Sequence, residues 1–257
     1  MKKTTYPTIV PLLPAAWQKV LFGDRKAERE RDPDWLEWQR CYLAFYQNTQ
    51  KAGIGQVVNN AGYNILRGYD FTGLRCLEIG PGILPHMRFW RGRPACYDIA
   101  DIQKDLLDAS RTILDRAGVP GMAMLLPERA QAGISAPDAS YDCILSFYSL
   151  EHLSPLDAHL KEYHRLLRPG GMLVGAIPAE GGLAWGLGRM LTSRRYAKKH
   201  FSYDFDKITA WEHCNTVGSI LRACDALFRQ GLLEFWPLRA PLVYINLVIR
   251  FKYRKAA

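Results

Sequence analysis

Leu77-Glu78-Ile79-Gly80-Pro81-Gly82-Ile83-Leu84-Pro85-His86, in the middle third of the chain, is the stretch whose reading decides the fold. An apolar run from Leu74 to Ile79 carries an acid near its end and runs into Gly80-Pro81-Gly82, and Pro85 then stands where a helix can begin. This is the pattern of the first strand, glycine turn and helix of a βαβ nucleotide-binding unit. Glycine at 80 and 82 lets the backbone turn sharply and approach a ligand that a side chain would exclude. Alone, a Gly-x-Gly turn is weak evidence. Its partners must come from the rest of the chain.

Outward from the turn, strand-like and helix-like segments alternate. Arg75 to Ile79 is the first strand, a helix is expected from about Pro85, and Ala95 to Ile99 is the second strand. Ile102 to Ala117 reads as a helix, with Leu106, Leu107, Ile113 and Leu114 inward and Gly118 ending it. Gly121 to Leu126 and Tyr141 to Phe147 are strands three and four. Leu156 to Leu167 is a helix closed by Arg168-Pro169-Gly170-Gly171, and Met172 to Ile177 is strand five. Such alternation predicts a parallel sheet with helices on both faces.

Residues 1–70 read as an N-terminal helical extension, 71–178 as the core, 179–210 as an insertion, and 211–257 as a last helix (Trp211 to Phe228) with two terminal strands, Leu232 to Leu238 and Ile245 to Tyr253. Trp35, Trp38, Tyr42, Phe45 and Tyr46 recur at helical spacing, either to pack a helix on the core or to roof a pocket. The insertion, from Trp185 to His200, mixes apolar residues with Arg189, Arg194, Arg195, Lys198, Lys199 and His200. It reads as a solvated helix, a lid, or a surface drawn to anionic lipid or an acidic glycan.

Composition is ordinary for a globular domain: 257 residues, 48% hydrophobic and 23% charged, with a formal charge of +9 and a pI near 9.3. The basic balance suits an acidic partner. No stretch has the length and purity of a membrane span, and the proline-interrupted start is not a signal peptide. A cytoplasmic protein, with peripheral contact at the inner membrane face through 185–200, is the expectation. Six cysteines without a C-x-x-C pair read as free thiols, and no metal site is expected.

A nucleotide-type ligand on the glycine turn calls for an acid at the end of the second strand, to accept from ribose hydroxyls. Asp98, twenty residues after Glu78, is the candidate. A dinucleotide fingerprint would place its third glycine where Pro85 stands, and Glu78 would oppose a pyrophosphate. A phosphate-free cation fits better, and S-adenosylmethionine has that chemistry.

Four ordered blocks then resemble class I S-adenosylmethionine-dependent methyltransferases of the small-molecule type, similar to those of ubiquinone and menaquinone biosynthesis. They are Leu77-Glu-Ile-Gly-Pro-Gly82; Tyr97-Asp98; Tyr141-Asp-Cys-Ile-Leu-Ser146 with Leu150-Glu-His-Leu153; and Leu166-Leu-Arg-Pro-Gly-Gly-Met-Leu173. The resemblance implies a Rossmann-like, seven-stranded, mostly parallel sheet with an antiparallel last strand. It implies that Glu78, Gly80 and Gly82, with Ile79 and Pro81, line the amino-acid end of the cofactor. Asp98, with Ile99, would bind the ribose, and Ser146 or Phe147 the other side. Two positions depart from the family: Leu84 replaces a frequent third glycine, and Glu128 is the one candidate for the acid that contacts adenine.

Methyl transfer from a sulfonium rests on positioning, with a base needed where the acceptor loses a proton. His152, Tyr148 and His213 are the candidates, each also readable as a cap or packed ring. Related quinone O-methyltransferases carry a metal-binding acid where this chain has Tyr148, so no metal is carried over. The expected acceptor is a small or lipid- or glycan-linked molecule, with oxygen slightly preferred over nitrogen or carbon. Nucleic acid is disfavoured because Ser146-Phe147-Tyr148-Ser149 is not a base-methylation signature. The competing classes are a non-catalytic or RNA-associated subunit that keeps the fold, and a nicotinamide oxidoreductase.

Overall fold

The apolar run at Leu77 is the first strand, β1 (Arg75–Ile79), in a computed structural model that describes residues 13–22, 32–45, 53–127 and 133–257. It has a parallel neighbour on each side: β2 (Cys96–Asp101), with Glu78 opposite Ile99, and β4 (Tyr141–Phe147), with Glu78 opposite Leu145. Strands buried on both faces read as near-continuous apolar runs and not alternations, and these do. β3 (Ala123–Leu125) flanks β2, and β5 (Leu167–Pro178) flanks β4, both parallel.

β6 (Arg229–Trp236) and β7 (Val248–Arg254) complete a seven-stranded sheet of order β3-β2-β1-β4-β5-β7-β6. Lys255 N donates to Gly171 O at one end of the β5–β7 pair, and Ala179 N to Leu247 O at the other. One index rises as the other falls, so β7 is antiparallel. The expected mostly parallel, Rossmann-like sheet with a reversed last strand is what forms.

The chain divides into two compact units. One holds residues 62–177, 220–234 and 250–257; the other holds the described residues of 1–61 together with 178–219 and 235–249. In the first, α4 (Lys104–Arg116) buries Leu106, Leu107, Ser110 and Leu114, and α5 (Leu156–Leu166) buries Leu156, Leu160, Tyr163 and Leu166. Both stripes have the three- and four-residue spacing that puts side chains on one helical face.

The helix expected from Pro85 does not form; only a short 3-10 turn, Met87–Phe89, is present. Leu84 stands before a proline and takes φ +48°, in the left-handed region, so the chain cannot enter a right-handed helix there. An aromatic layer stands where the helix was expected. Tyr63, His86, Phe89, Trp90 and Phe147 pack ring on ring, with Trp90 4.5 Å from Tyr97 between centroids.

In the second unit, α2 (Pro33–Phe45) lays Trp35, Trp38 and Phe45 against Ala197, Tyr203, Phe205 and Ile208. The aromatic stripe is therefore core within this unit; Tyr46 lies outside the described residues. Here α1 (Ala15–Phe22) and α6 (Leu183–Leu191) pack together, followed by α7 (Ser193–His200) and α8 (Phe205–Glu212). Asp204 caps α8 by accepting from Asp206 N and Lys207 N. The single helix expected over Trp211 to Phe228 is broken: α8 ends at Glu212 and α9 (Val217–Leu227) starts afresh. α3 (Gly53–Tyr63) leads into the first unit.

Candidate active site

At the C-terminal end of β1 the backbone turns through Gly80 (φ +69°) and Gly82 (φ +60°). Gly80 N donates to Ala100 O of the neighbouring strand, and a Cβ at Gly80 would stand 2.9 Å from Ser149 Cβ. Ser149 Oγ donates to Ile79 O at 3.0 Å, so Ser146 Oγ, 2.6 Å away, must be the donor to Ser149. Ser110 Oγ of α4 donates to Gly82 O at 2.6 Å. Three hydroxyls thus hold the turn, and Ser146, expected to line the cofactor, spends its proton on Ser149.

Glu78 is buried, and both its oxygens accept. His86 Nε2 lies 2.8 Å from Oε1, and Tyr97 Oη donates to Oε2 at 2.8 Å. Trp90 Nε1, a donor only, reaches His86 Nδ1 at 3.1 Å, which makes Nδ1 an acceptor and puts the imidazole proton on Nε2. Burial, and then the charge of Glu78, push the Tyr97 hydroxyl well above the ordinary phenol range, so it stays a donor. The result is a carboxylate beside the turn with two hydrogen bonds from neutral groups.

Asp98 is placed differently from its expected role. It lies inside β2, fully buried; Oδ1 accepts from Met122 N at 2.7 Å and lies 3.3 Å from Cys96 Sγ, and Oδ2 accepts from Tyr141 Oη at 2.8 Å. Ile99 is likewise buried mid-strand. The carboxylate at the strand's end, one residue past the carbonyl that receives Gly80 N, is Asp101. Its Oδ1 accepts from Gln103 N at 2.8 Å. Burial pushes its pKa up to about 6 against the pull of backbone N–H groups, with the Glu78 charge adding to the rise. Glu128 lies outside the described residues.

The other expected residues separate. Phe147 is buried against Tyr63 and His86. Tyr148 takes φ +54°, and its hydroxyl lies so near Gly62 that a Cβ there would be 2.2 Å away. Burial, and then the nearby Glu151 charge, raise Tyr148 far above the phenol range, which favours its neutral hydroxyl. In the Leu150–His152 turn Glu151 faces inward and His152 is exposed. The imidazole packed beside the turn is His86.

His213, in the second unit, does find a partner. Its Nδ1 is 3.1 Å from Glu180 Oε2, which also accepts from Trp185 Nε1. Glu180 follows β5 and is buried, and its Oε1 has no hydrogen-bond partner among the described residues. Burial alone would raise its pKa; the charge and hydrogen bond of His213, with Arg189 and Trp185, outweigh it and hold the carboxyl below its ordinary value.

These donors and acceptors fit S-adenosylmethionine. Two buried carboxylates, Glu78 and Asp101, flank a glycine turn, and no helix N-terminus follows that would favour a diphosphate. When bound, such a cofactor supplies an electrophilic methyl group.

Comparison with known proteins agrees. Residues 77–175 match the model of a methyltransferase domain. The chain is 33% identical over 76 residues to the ubiquinone/menaquinone biosynthesis C-methyltransferase of Escherichia coli, a match that covers 30% of this chain and 30% of that protein. In fold it is similar to the CurJ carbon methyltransferase, with TM-score 0.55 at 15% identity, covering 95% of this chain and 67% of that one. It is also similar to an S-adenosylmethionine-dependent methyltransferase of Thermotoga maritima, with TM-score 0.53 at 15% identity, covering 86% and 99%. Over residues 77–175, then, this chain matches a methyltransferase domain, and its fold is similar to that of S-adenosylmethionine-dependent methyltransferases.

Proposed function

We propose that the chain is an enzyme that transfers a methyl group from S-adenosylmethionine to a small or lipid- or glycan-linked acceptor. The observation that carries this reading is the pair of buried carboxylates, Glu78 and Asp101, on either side of the Gly80 turn. Glu78, whose oxygens accept from His86 and Tyr97, is the acid at the cationic end of the cofactor, and Asp101 takes the ribose role first expected of Asp98. Gly80, Pro81 and Gly82 form the backbone wall of the methionine end, with Ser110, Ser146 and Ser149 as its supports.

For the acceptor, an oxygen or carbon acid that must lose a proton suits the Glu180–His213 pair. A carboxylate on Nδ1 fixes the imidazole and stabilises the protonated ring after it accepts the proton. Oxygen remains the preferred acceptor atom. His213 is the proposed proton acceptor, and Glu180 the positioning residue behind it.

The test has two stages. Calorimetry should detect binding of S-adenosylmethionine and of its demethylated product. Labelled cofactor should then pass its methyl group to one fraction of an extract separated into lipids, glycans, RNA and small molecules. Absence of cofactor binding would refute the reading, and label in the RNA fraction alone would reassign the acceptor.

A further inference from the structure

α6 is built inside out. It buries its one cation: Arg189 Nη2 donates to Val20 O at 2.6 Å and Nε to Leu21 O at 3.0 Å, while Nη1 reaches Asp206 and Thr209. It exposes leucines instead: Leu187 and Leu191, one turn apart on the same face, are 42% and 60% accessible. Single exposed leucines are common and mean little. Here they have company. α1 and the 3-10 turn Val243–Ile245 both pack on α6, and Trp17 of α1 (56%), Ile245 of the turn (40%) and Leu242 just before it (50%) are exposed too.

α7, which follows at once, supplies the charge. Arg194 is bound to both oxygens of Asp206, so one of its cations is structural. Arg195, Lys198 and Lys199 are exposed and pair with no acid among the described residues. Leucine and tryptophan beside unpaired lysine and arginine is the combination an anionic bilayer surface accepts, apolar side chains entering the headgroup boundary and cations meeting lipid phosphates. The same cations set two copies of this face against each other. RNA would engage the cations and leave the leucines in water.

We propose that this face, centred on Leu187 and Leu191 of α6 and on Arg195, Lys198 and Lys199 of α7, docks the protein on an anionic lipid bilayer. The docking does not rest on the methyl-transfer reading, because neither cofactor nor acceptor takes part in it.

The test is flotation of the full-length chain with vesicles of phosphatidylcholine alone or mixed with phosphatidylglycerol, without cofactor. Binding should need phosphatidylglycerol and fade as salt rises. K198A/K199A should weaken it about thirtyfold, from roughly tenfold or less per cation. L187S/L191S should weaken it by at least about tenfold. All four positions are on the surface, so melting curves should match the wild type; a variant that melts early is replaced by R195A/K199A. Equal binding to both vesicle types, or binding unchanged in both variants, would overturn the proposal. So would tight, salt-sensitive RNA binding lost in K198A/K199A but kept in L187S/L191S, with no vesicle binding.

Discussion

His86 Nε2 stands 2.8 Å from Glu78 Oε1, and because the Trp90 indole donates to the other ring nitrogen, the proton between them belongs to the imidazole. Both oxygens of Glu78 therefore accept, one from His86 and one from Tyr97. H86A should remove that donor from a buried carboxylate and cost about 2–3 kcal/mol of stability. Cofactor affinity should fall with it. H86Q keeps an N–H donor and should restore much of both. Chemical denaturation and calorimetry on the two variants check this, and equal losses in both would mean that ring packing, not the hydrogen bond, matters.

Asp98 and Asp101 should separate cleanly. D98A strands the buried Tyr141 hydroxyl and takes the partner from Met122 N–H, and should cost about 3 kcal/mol of unfolding free energy. D101N should leave the fold intact and weaken cofactor binding at least about tenfold, the loss of one charge-assisted hydrogen bond.

Asp101 also predicts a pH signature. Its folded pKa of about 6 lies above the ordinary 3.8, so the folded state holds the extra proton between those values. Stability of the wild type should therefore fall as pH rises through that window, by up to about 3 kcal/mol. D101N should lack the fall and be the more stable protein at pH 7, which melting curves taken from pH 4 to 8 would reveal.

Glu180 carries the opposite sign. Held below its ordinary 4.5 in the fold, it stabilises above that value, and the benefit disappears as pH drops through the folded pKa. The stability gap between wild type and E180Q should close in acid. If the pair with His213 acts on a proton, E180Q should lower kcat more than it raises KM and shift the pH profile; a purely structural role would leave the profile in place.

Leu84 sets two effects against each other. L84G relieves a left-handed leucine, worth about 1–2 kcal/mol, but removes a buried side chain worth about 2–3 kcal/mol. Burial should win, leaving L84G about 1 kcal/mol less stable than the wild type in urea. A more stable L84G would show that the strain dominates.

Much of the sheet was legible because buried parallel strands leave unbroken apolar runs, as at Leu77 and Ile144. The end of the second strand was misread for the same reason. Asp98 looked like the close of an apolar run, since a carboxylate inside a sheet is costly; Tyr141 and Met122 N, distant in sequence, make it tolerable. The next acid, Asp101, closes the strand, which the pairing of β2 with β3 shows. His86 lay inside the quoted stretch, but its worth depends on Trp90 and Tyr97, whose contacts no local spacing encodes. Glu180 carried no signal, because its partner His213 comes from a break in what read as one continuous helix.

The missing helix after Gly82 has a consequence for how this protein can change over generations. A turn backed by a helix tolerates side-chain turnover, since its shape is kept by the repeating backbone. Here the turn is kept by individual hydroxyls and rings, among them Ser110, Ser149, His86 and Trp90. Each is a separate point at which a single codon change reaches the glycine turn. Relatives that lose one should be found to have replaced its neighbours too, so substitutions there should arrive in groups.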